Sequence, residues 1–285
     1  MFVVAGVTGH TGKVVAETLL AQSLPVRVIV RDAKKGEAWK ARGAEVAIAE
    51  VKDVKAMTAA LRGASGAYLL SPPDMSVTDL DKHAREVGAA LKAAIAESGV
   101  KHVVFLSSIG AQHASGTGPI ATLYVIEAAL NETKAHVTAL RAGYFMENLL
   151  GNLHPMKEQG VLPAMFGAER KVEMVATPDI GALAAELLRA GTSAPKVVEL
   201  SGPTPTTLTD AAKVFSAALK KPINLAPVPA AAQVGVLLGV GLPETWAKAY
   251  AEMNSALEAG KVSPVGTLRR GLITLEQFVA RALQG

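Results

Sequence analysis

"MFVVAGVTGHTGKVV", residues 1–15, decides the fold. A short β-branched run ends at Gly6, two more glycines follow at Gly9 and Gly12, and a helix-compatible stretch opens directly behind them. Strand, glycine turn and helix in this order aim backbone N–H groups at one point, where an anion is favoured. Two kinds of phosphate loop compete, and spacing separates them. A triphosphate loop needs a glycine five residues before its Gly-Lys pair and a hydroxyl after the lysine to hold magnesium. Those positions hold Val7 and Val14. The remaining reading is a dinucleotide turn, in which glycines let the backbone approach a pyrophosphate, here with the spacing Gly-x-x-Gly-x-x-Gly.

Working outward, β-branched runs alternate with amphipathic stretches through the first half of the chain, the pattern of a doubly wound parallel sheet covered on both faces. The expected strands are "FVVAG", "PVRVIV", "AEVAIA", "GAYLLS", "HVVFLSS" and "HVTALRAG". Between them, Leu80, Ala84, Val87, Leu91 and Ile95 recur at helical spacing, and Ser98-Gly99 ends that run. The first domain is therefore expected over residues 1–150 and a smaller C-terminal α/β region over 151–285. "KVEMVAT" and "KVVELSG", within 172–201, are expected to return to the sheet. Thr207 with Asp210 and Thr274 with Gln277 sit at capping-box spacing before two further helices.

The second strand runs into Arg31, at the place where an NAD-binding domain carries an acidic residue for the ribose. A guanidinium there suits a 2′-phosphate, so NADP(H) is expected to be preferred over NAD(H). The neighbouring Asp32 offers the competing reading, a carboxylate for the ribose hydroxyls.

Composition narrows the remaining classes. The 285 residues include no cysteine, which excludes disulfides, a thiol nucleophile and thiolate metal sites. No His, Asp or Glu cluster has metal-ligand spacing. The net charge of +4 is spread along the chain without basic blocks, so no nucleic-acid partner is expected. The apolar stretch 230–242 is shorter than the ~20 residues of a membrane-spanning helix, so no membrane role is expected and a buried or lid-like helix is. A cytoplasmic location is the corresponding expectation.

Taken together, "GVTGHTG", "VRDAKK", "AALRGASGAYLLSPP", "ESGVKHVVFLSSIGA", "HVTALRAGYFMENLL" and "VVELSGPTPTTLTDAA" resemble the NmrA-like branch of the atypical short-chain dehydrogenases, over essentially the whole chain. "GLPETWAKAYAEMNSALEAGK" resembles the matching part of the quinone oxidoreductase and triphenylmethane reductase members. The resemblance implies a Rossmann-type domain that binds NADP(H), with the C-terminal region closing a cleft. Position by position, it implies that Gly6, Thr8, Gly9, His10, Thr11 and Gly12 hold the pyrophosphate and Arg31 the adenosine phosphate. Ser71 and Pro72 then line the adenosine and ribose side, and Ser107 and Ser108 the nicotinamide side. Gly143, Tyr144 and Phe145 border the nicotinamide, and Tyr144, Phe145 and Asn148 the substrate.

The departures bear on chemistry. The Tyr-x-x-x-Lys pair of ordinary short-chain dehydrogenases is missing, since Tyr124 is followed four positions later by Ala128. Relatives carry Lys or His four residues before the glutamate matching Glu127, and this chain has Leu123. Tyr124, Tyr144 and His113 are the candidate proton donors that remain. Reduction of an isolated ketone develops an alkoxide and needs such a donor. A quinone or other conjugated acceptor delocalises the incoming charge and does not. Two readings stand: a reductase of small aromatic, quinone-like acceptors, or a non-catalytic NADP(H)-responsive sensor acting through a protein partner. A homodimer is compatible with either.

Overall fold

The computed structural model describes residues 1–284. Twelve strands form: β1 (Phe2–Val4), β2 (Val26–Val30), β3 (Glu45–Ile48), β4 (Gly66–Leu69), β5 (His102–Ser108), β6 (His136–Ala142), β7 (Tyr144–Phe145), β8 (Val161–Ala164), β9 (Met174–Val175), β10 (Val197–Ser201), β11 (Asn224–Pro227) and β12 (Leu268–Arg270). The helices are α1 (His10–Ala21), α2 (Glu37–Ala41), α3 (Val54–Leu61), α4 (Leu80–Ser98), α5 (Ile120–Asn131), α6 (Leu153–Gln159), α7 (Thr177–Ala190), α8 (Leu208–Leu219), α9 (Ala230–Gly239), α10 (Glu244–Glu258) and α11 (Leu275–Ala282).

Eight strands make one sheet in the order β12-β10-β6-β5-β4-β1-β2-β3, every neighbouring pair parallel. From β1 the chain winds first towards β3 and then back past β1 to β4, so the strand order reverses between β1 and β4. A crevice opens at that switch point, outside the carboxyl ends of the strands. One face is covered by α1 and α7 over Val4, Val28, Val104 and Leu140. The other is covered by α3, α4 and α5 over Val3, Ala67, Leu69 and Phe105. Gly181 brings α7 onto α1: a Cβ there would lie 2.5 Å from Val14 Cβ and 3.0 Å from Thr11 O.

Local signals explain most of the helix ends. Asp79 caps α4 by accepting from Lys82 N, and Gly99 closes it in the left-handed region at φ 73°. Both capping boxes form, Thr207 with Asp210 and Thr274 with Gln277.

Two expectations change. Of the stretch 172–201, Val197–Ser201 joins the large sheet as β10, whereas Met174–Val175 pairs outside it with Tyr144–Phe145. β10 already occupies the free edge of β6, so β9 pairs with the chain beyond Gly143 instead. The apolar stretch 230–242 is not buried: α9 lies on the surface, with Val236, Leu238 and Val240 exposed and only Gln233 inside. Gln233 anchors it by donating to Met165 O (2.6 Å) and accepting from Asn254 Nδ2 (3.1 Å).

A third hydrophobic cluster, including Met156, Phe166, Leu208, Phe215 and Phe278, builds the C-terminal region. That region is stitched to the strand ends of the large sheet. Trp246 Nε1 donates to Asp74 O (3.1 Å) and Thr245 to Thr78 O (3.2 Å). The tight approach of α10 is made possible by Gly118, where a Cβ would collide with Ala249 O.

At the opposite end of the sheet, His102 is buried and its ring lies 5.6 Å from that of His136. Burial, reinforced by His136, depresses its pKa to about 4. In the unfolded chain the imidazole takes its proton near pH 6.5, so between pH 6.5 and 4 the unfolded state binds more protons and stability falls as pH falls. The shift corresponds to about 3 kcal/mol. Melting curves at pH 7 and pH 4.5 are expected to show a larger drop for the native chain than for His102→Gln.

Candidate active site

The glycine turn has the geometry of an anion cradle. Gly6 follows β1 at φ +70°, a conformation L side chains rarely adopt, and an added Cβ would overlap Leu70 Cδ2 at the end of β4. Gly9 N–H donates to Gly6 O (2.9 Å) and Gly9 forms the N-cap of α1, supplying no side-chain cap. Gly12 lies against the turn itself: a Cβ would press on Ala5 O and sit 2.5 Å from Gly6 C and O. The first turn of α1 carries no acidic residue, so no side-chain charge offsets its unpaired N–H groups and the positive end of the helix dipole. Beneath it, Tyr68 donates its hydroxyl to Thr11 Oγ1 (2.9 Å), and burial pushes that phenol well above its ordinary pKa. Thr11 thus accepts from the protein and keeps its own proton to give. Thr8 and His10 are exposed beside it.

At the end of β2, Arg31 is exposed and Asp32 is occupied: its carboxylate accepts from Lys34 N (2.9 Å) in the turn that follows. The guanidinium of Arg31 is flanked by exposed Lys34 and Lys35. Ser71 and Pro72 lie partly buried after β4, across the switch point from Gly6.

Further along the strand ends stands a buried polar group. Ser107 donates to Glu127 Oε1 (2.5 Å), and Arg141 grips the same carboxylate through Nε to Oε1 (3.0 Å) and Nη2 to Oε2 (2.6 Å). The carboxylate holds the guanidinium pKa above its ordinary value. Arg141 also faces Glu199 on β10, whose oxygens accept from Val265 N (3.0 and 3.1 Å) and Gly266 N (2.7 Å). Arg141 and Glu199 were not singled out by the sequence reading. The available signal was a lone charge inside each of two apolar strands, "HVTALRAG" and "VVELSG", since a buried charge needs a partner. Ser108, next to Ser107, turns its hydroxyl onto Ile109 O (3.0 Å).

Gly143 separates β6 from β7, and a Cβ there would collide with Glu173 O. Tyr144 then packs edge-on against Phe166, ring centroids 6.4 Å apart. Burial, with Tyr250 nearby, pushes its phenol up to about 12, so it stays protonated at neutral pH. Tyr250 stacks on Trp246 at 5.9 Å, which extends the aromatic wall into α10.

The other two proton-donor candidates change role. Tyr124 points outward from α5, 41 % exposed, into a surface groove shared with Arg85 and Lys92 of α4. Its helical phase sets it on the opposite side of α5 from buried Ile126, away from the sheet. His113 Nε2 lies 3.2 Å from Lys261 O, and Gln112 donates to Ser263 O (3.3 Å), so this loop is a tether to the segment after α10. Leu123 is partly buried against the α5-side core and brings no proton. Among the described residues no cluster of His, Asp or Glu is placed to hold a metal, and no helix is long and apolar enough to cross a membrane.

Comparison with known proteins gives these features a lineage. The chain is 29 % identical over 255 residues to an NAD(P)H azoreductase of Xenophilus azovorans, covering 89 % of this chain and 86 % of that one. It is 29 % identical over 263 residues to quinone oxidoreductase 2 of Escherichia coli, covering 91 % and 89 %. The crystal structure of an NADPH-dependent quinone oxidoreductase from Escherichia coli complexed with NADPH superposes with a TM-score of 0.78 at 25 % identity, covering 99 % of this chain and 100 % of that one. The model of the NmrA-like family matches residues 1–280, and the chain belongs to that family.

Proposed function

We propose that the protein is an NADP(H)-dependent oxidoreductase that passes hydride from NADPH to a quinone-like or other conjugated acceptor. The observation that carries this reading is the glycine-built cradle at the N-terminus of α1, opening at the switch point of the sheet. Gly6, Thr8, Gly9, His10, Thr11 and Gly12 would hold the pyrophosphate, Arg31 the 2′-phosphate, and Ser71 and Pro72 the adenosine side. Ser107, Ser108, Gly143, Tyr144 and Phe145 would border the nicotinamide, with Tyr144, Phe145 and Asn148 facing the acceptor. When bound, NADPH supplies the hydride.

The protein's own part is to bind, orient and exclude water. Proximity over the cofactor is the main contribution, because Leu123 stands where a proton donor would be and a conjugated acceptor spreads the charge it receives. Tyr144 keeps its proton and offers it as a hydrogen bond. The aromatic residues Tyr144, Phe166, Tyr250 and Trp246 favour a flat, apolar ring. The azoreductase and quinone oxidoreductase names of the two curated relatives agree with such an acceptor.

Single-turnover mixing tests the reading: protein loaded with stoichiometric NADPH, then quinones and azo or triphenylmethane dyes. Reduced-nicotinamide absorbance is expected to decay faster than without protein. Bound NADPH that outlasts the whole panel would replace the reductase with the sensor. Arg31→Ala is expected to lower the NADPH-to-NADH affinity ratio about tenfold or more, from the loss of charge-assisted hydrogen bonds. Titration with both nucleotides checks it, and an unchanged ratio removes Arg31 from the phosphate site.

A further inference from the structure

We infer that the C-terminal region carries a second ligand site, an open groove between α8 and β11 that takes a small amphiphilic anion, a carboxylate on an apolar chain. The groove has a volume of about 730 Å³, within the range of small-molecule sites. None of its lining residues belongs to the crevice described above, so the inference stands apart from the NADPH reading.

Ala212, Lys213, Ser216 and Ala217 recur at helical spacing on one face of α8, continued by Lys220 just past its end. The facing wall is the chain entering β11, with Pro222, Ile223 and Leu225. On the floor, Ala212 and Ile223 are buried and the polar groups are already engaged. Ser216 donates its hydroxyl to Ala212 O (2.7 Å) and accepts from Ile223 N (2.9 Å). Lys221 Nζ donates to Lys157 O (2.7 Å) and Glu158 O (3.1 Å) near the end of α6. A ligand lying here therefore meets methyl and methylene groups.

The rim has the opposite character. Lys213 and Lys220 are exposed, seven residues and about 10 Å apart along the helix, and neither ammonium is in an ion pair or hydrogen bond among the described residues. Asp210, the carboxylate beside Lys213, is committed to Thr207 N (3.1 Å) and Thr207 Oγ1 (2.7 Å). The helix dipole rewards a cation only in the last turn and gives no reason for Lys213. Lys220 closes α8 at φ +52°, a left-handed position where glycine is the usual residue. A side chain kept there against the backbone's preference points to a use for its charge. Apolar floor and unpaired cations together match an anionic head on an apolar tail. From Thr209 to Lys220 the groove runs roughly 16 Å along one helix, a footprint well short of the about 800 Å² per partner of a stable protein interface.

Isothermal titration with decanoate tests this, beside decyltrimethylammonium, which keeps the chain and reverses the charge, and acetate, which keeps the carboxylate and lacks the chain. The native protein is expected to bind decanoate at least about tenfold tighter than either. Lys213→Gln combined with Lys220→Gly is expected to lower decanoate affinity about tenfold and leave NADPH affinity unchanged. Lys220→Gly alone relieves the left-handed backbone, so the melting temperature should rise while decanoate binding weakens. Ala217→Trp, at an exposed position on the groove wall, keeps both charges and should block decanoate by filling the space. Equal binding of the anionic and cationic chains, or decanoate affinity that survives the lysine double variant, overturns the inference. Displacement of decanoate by NADPH would place it in the crevice and overturn the second site. Co-sedimentation with anionic phospholipid vesicles without binding of free decanoate would assign the lysines to a membrane headgroup and overturn the free ligand.

Discussion

NADPH affinity is expected to fall at least about 100-fold when Gly12 is replaced by valine. The atoms a Cβ would meet are backbone: Ala5 O, Gly6 C and Gly6 O. None of them is the end of a flexible side chain. Relief requires α1 to slide away from the turn after β1, which carries its N–H groups off the point where they converge. The loss is geometric, so it should appear in binding with a smaller change in melting temperature. Isothermal titration with NADPH, alongside thermal melting, separates the two. Retained affinity in a folded variant would remove this turn from the cofactor site.

Arg141→Leu is expected to be the most destabilising single change, at about 3–5 kcal/mol and a melting temperature lower by roughly 10 °C. It strands two buried carboxylates, Glu127 and Glu199, of which only Glu199 has backbone N–H donors of its own. Adding Glu127→Gln removes one of those charges. The double variant should therefore regain part of the loss, and a strictly additive result would show that the two residues do not act as a pair.

How far the sequence spoke for the structure follows from the range of each interaction. The strand, glycine turn and first helix are set within fifteen residues by backbone sterics, and α4 within twenty by periodicity and its two caps. The capping boxes are local for the same reason. The doubly wound parallel sheet was legible because strands alternating with helical crossovers leave few topologies; that the strand order reverses between β1 and β4 was not, because it depends on which distant strands pair. The Ser107, Glu127, Arg141 and Glu199 group was not, because it joins four elements far apart in the chain. Tyr124 looked like a proton donor as a residue type. Its helical phase, with Ile126 inward, turns it outward. "KVEMVAT" has the composition of a core strand, and what moved it was competition: β10 holds the edge it would have used. β12 escaped notice because Arg269 and Arg270 disguise a strand, their charges met by Glu186 and Glu173.

The donors that satisfy Glu199 come from Val265 and Gly266, immediately ahead of the strand that completes the sheet. Val265 lies 66 residues after Glu199 in the chain. Without that distant turn, the carboxylate of Glu199 would face Arg141 on β6 but lack its backbone N–H donors. The segment that adds the last strand to the sheet is therefore also the one that completes the solvation of a charge buried inside it.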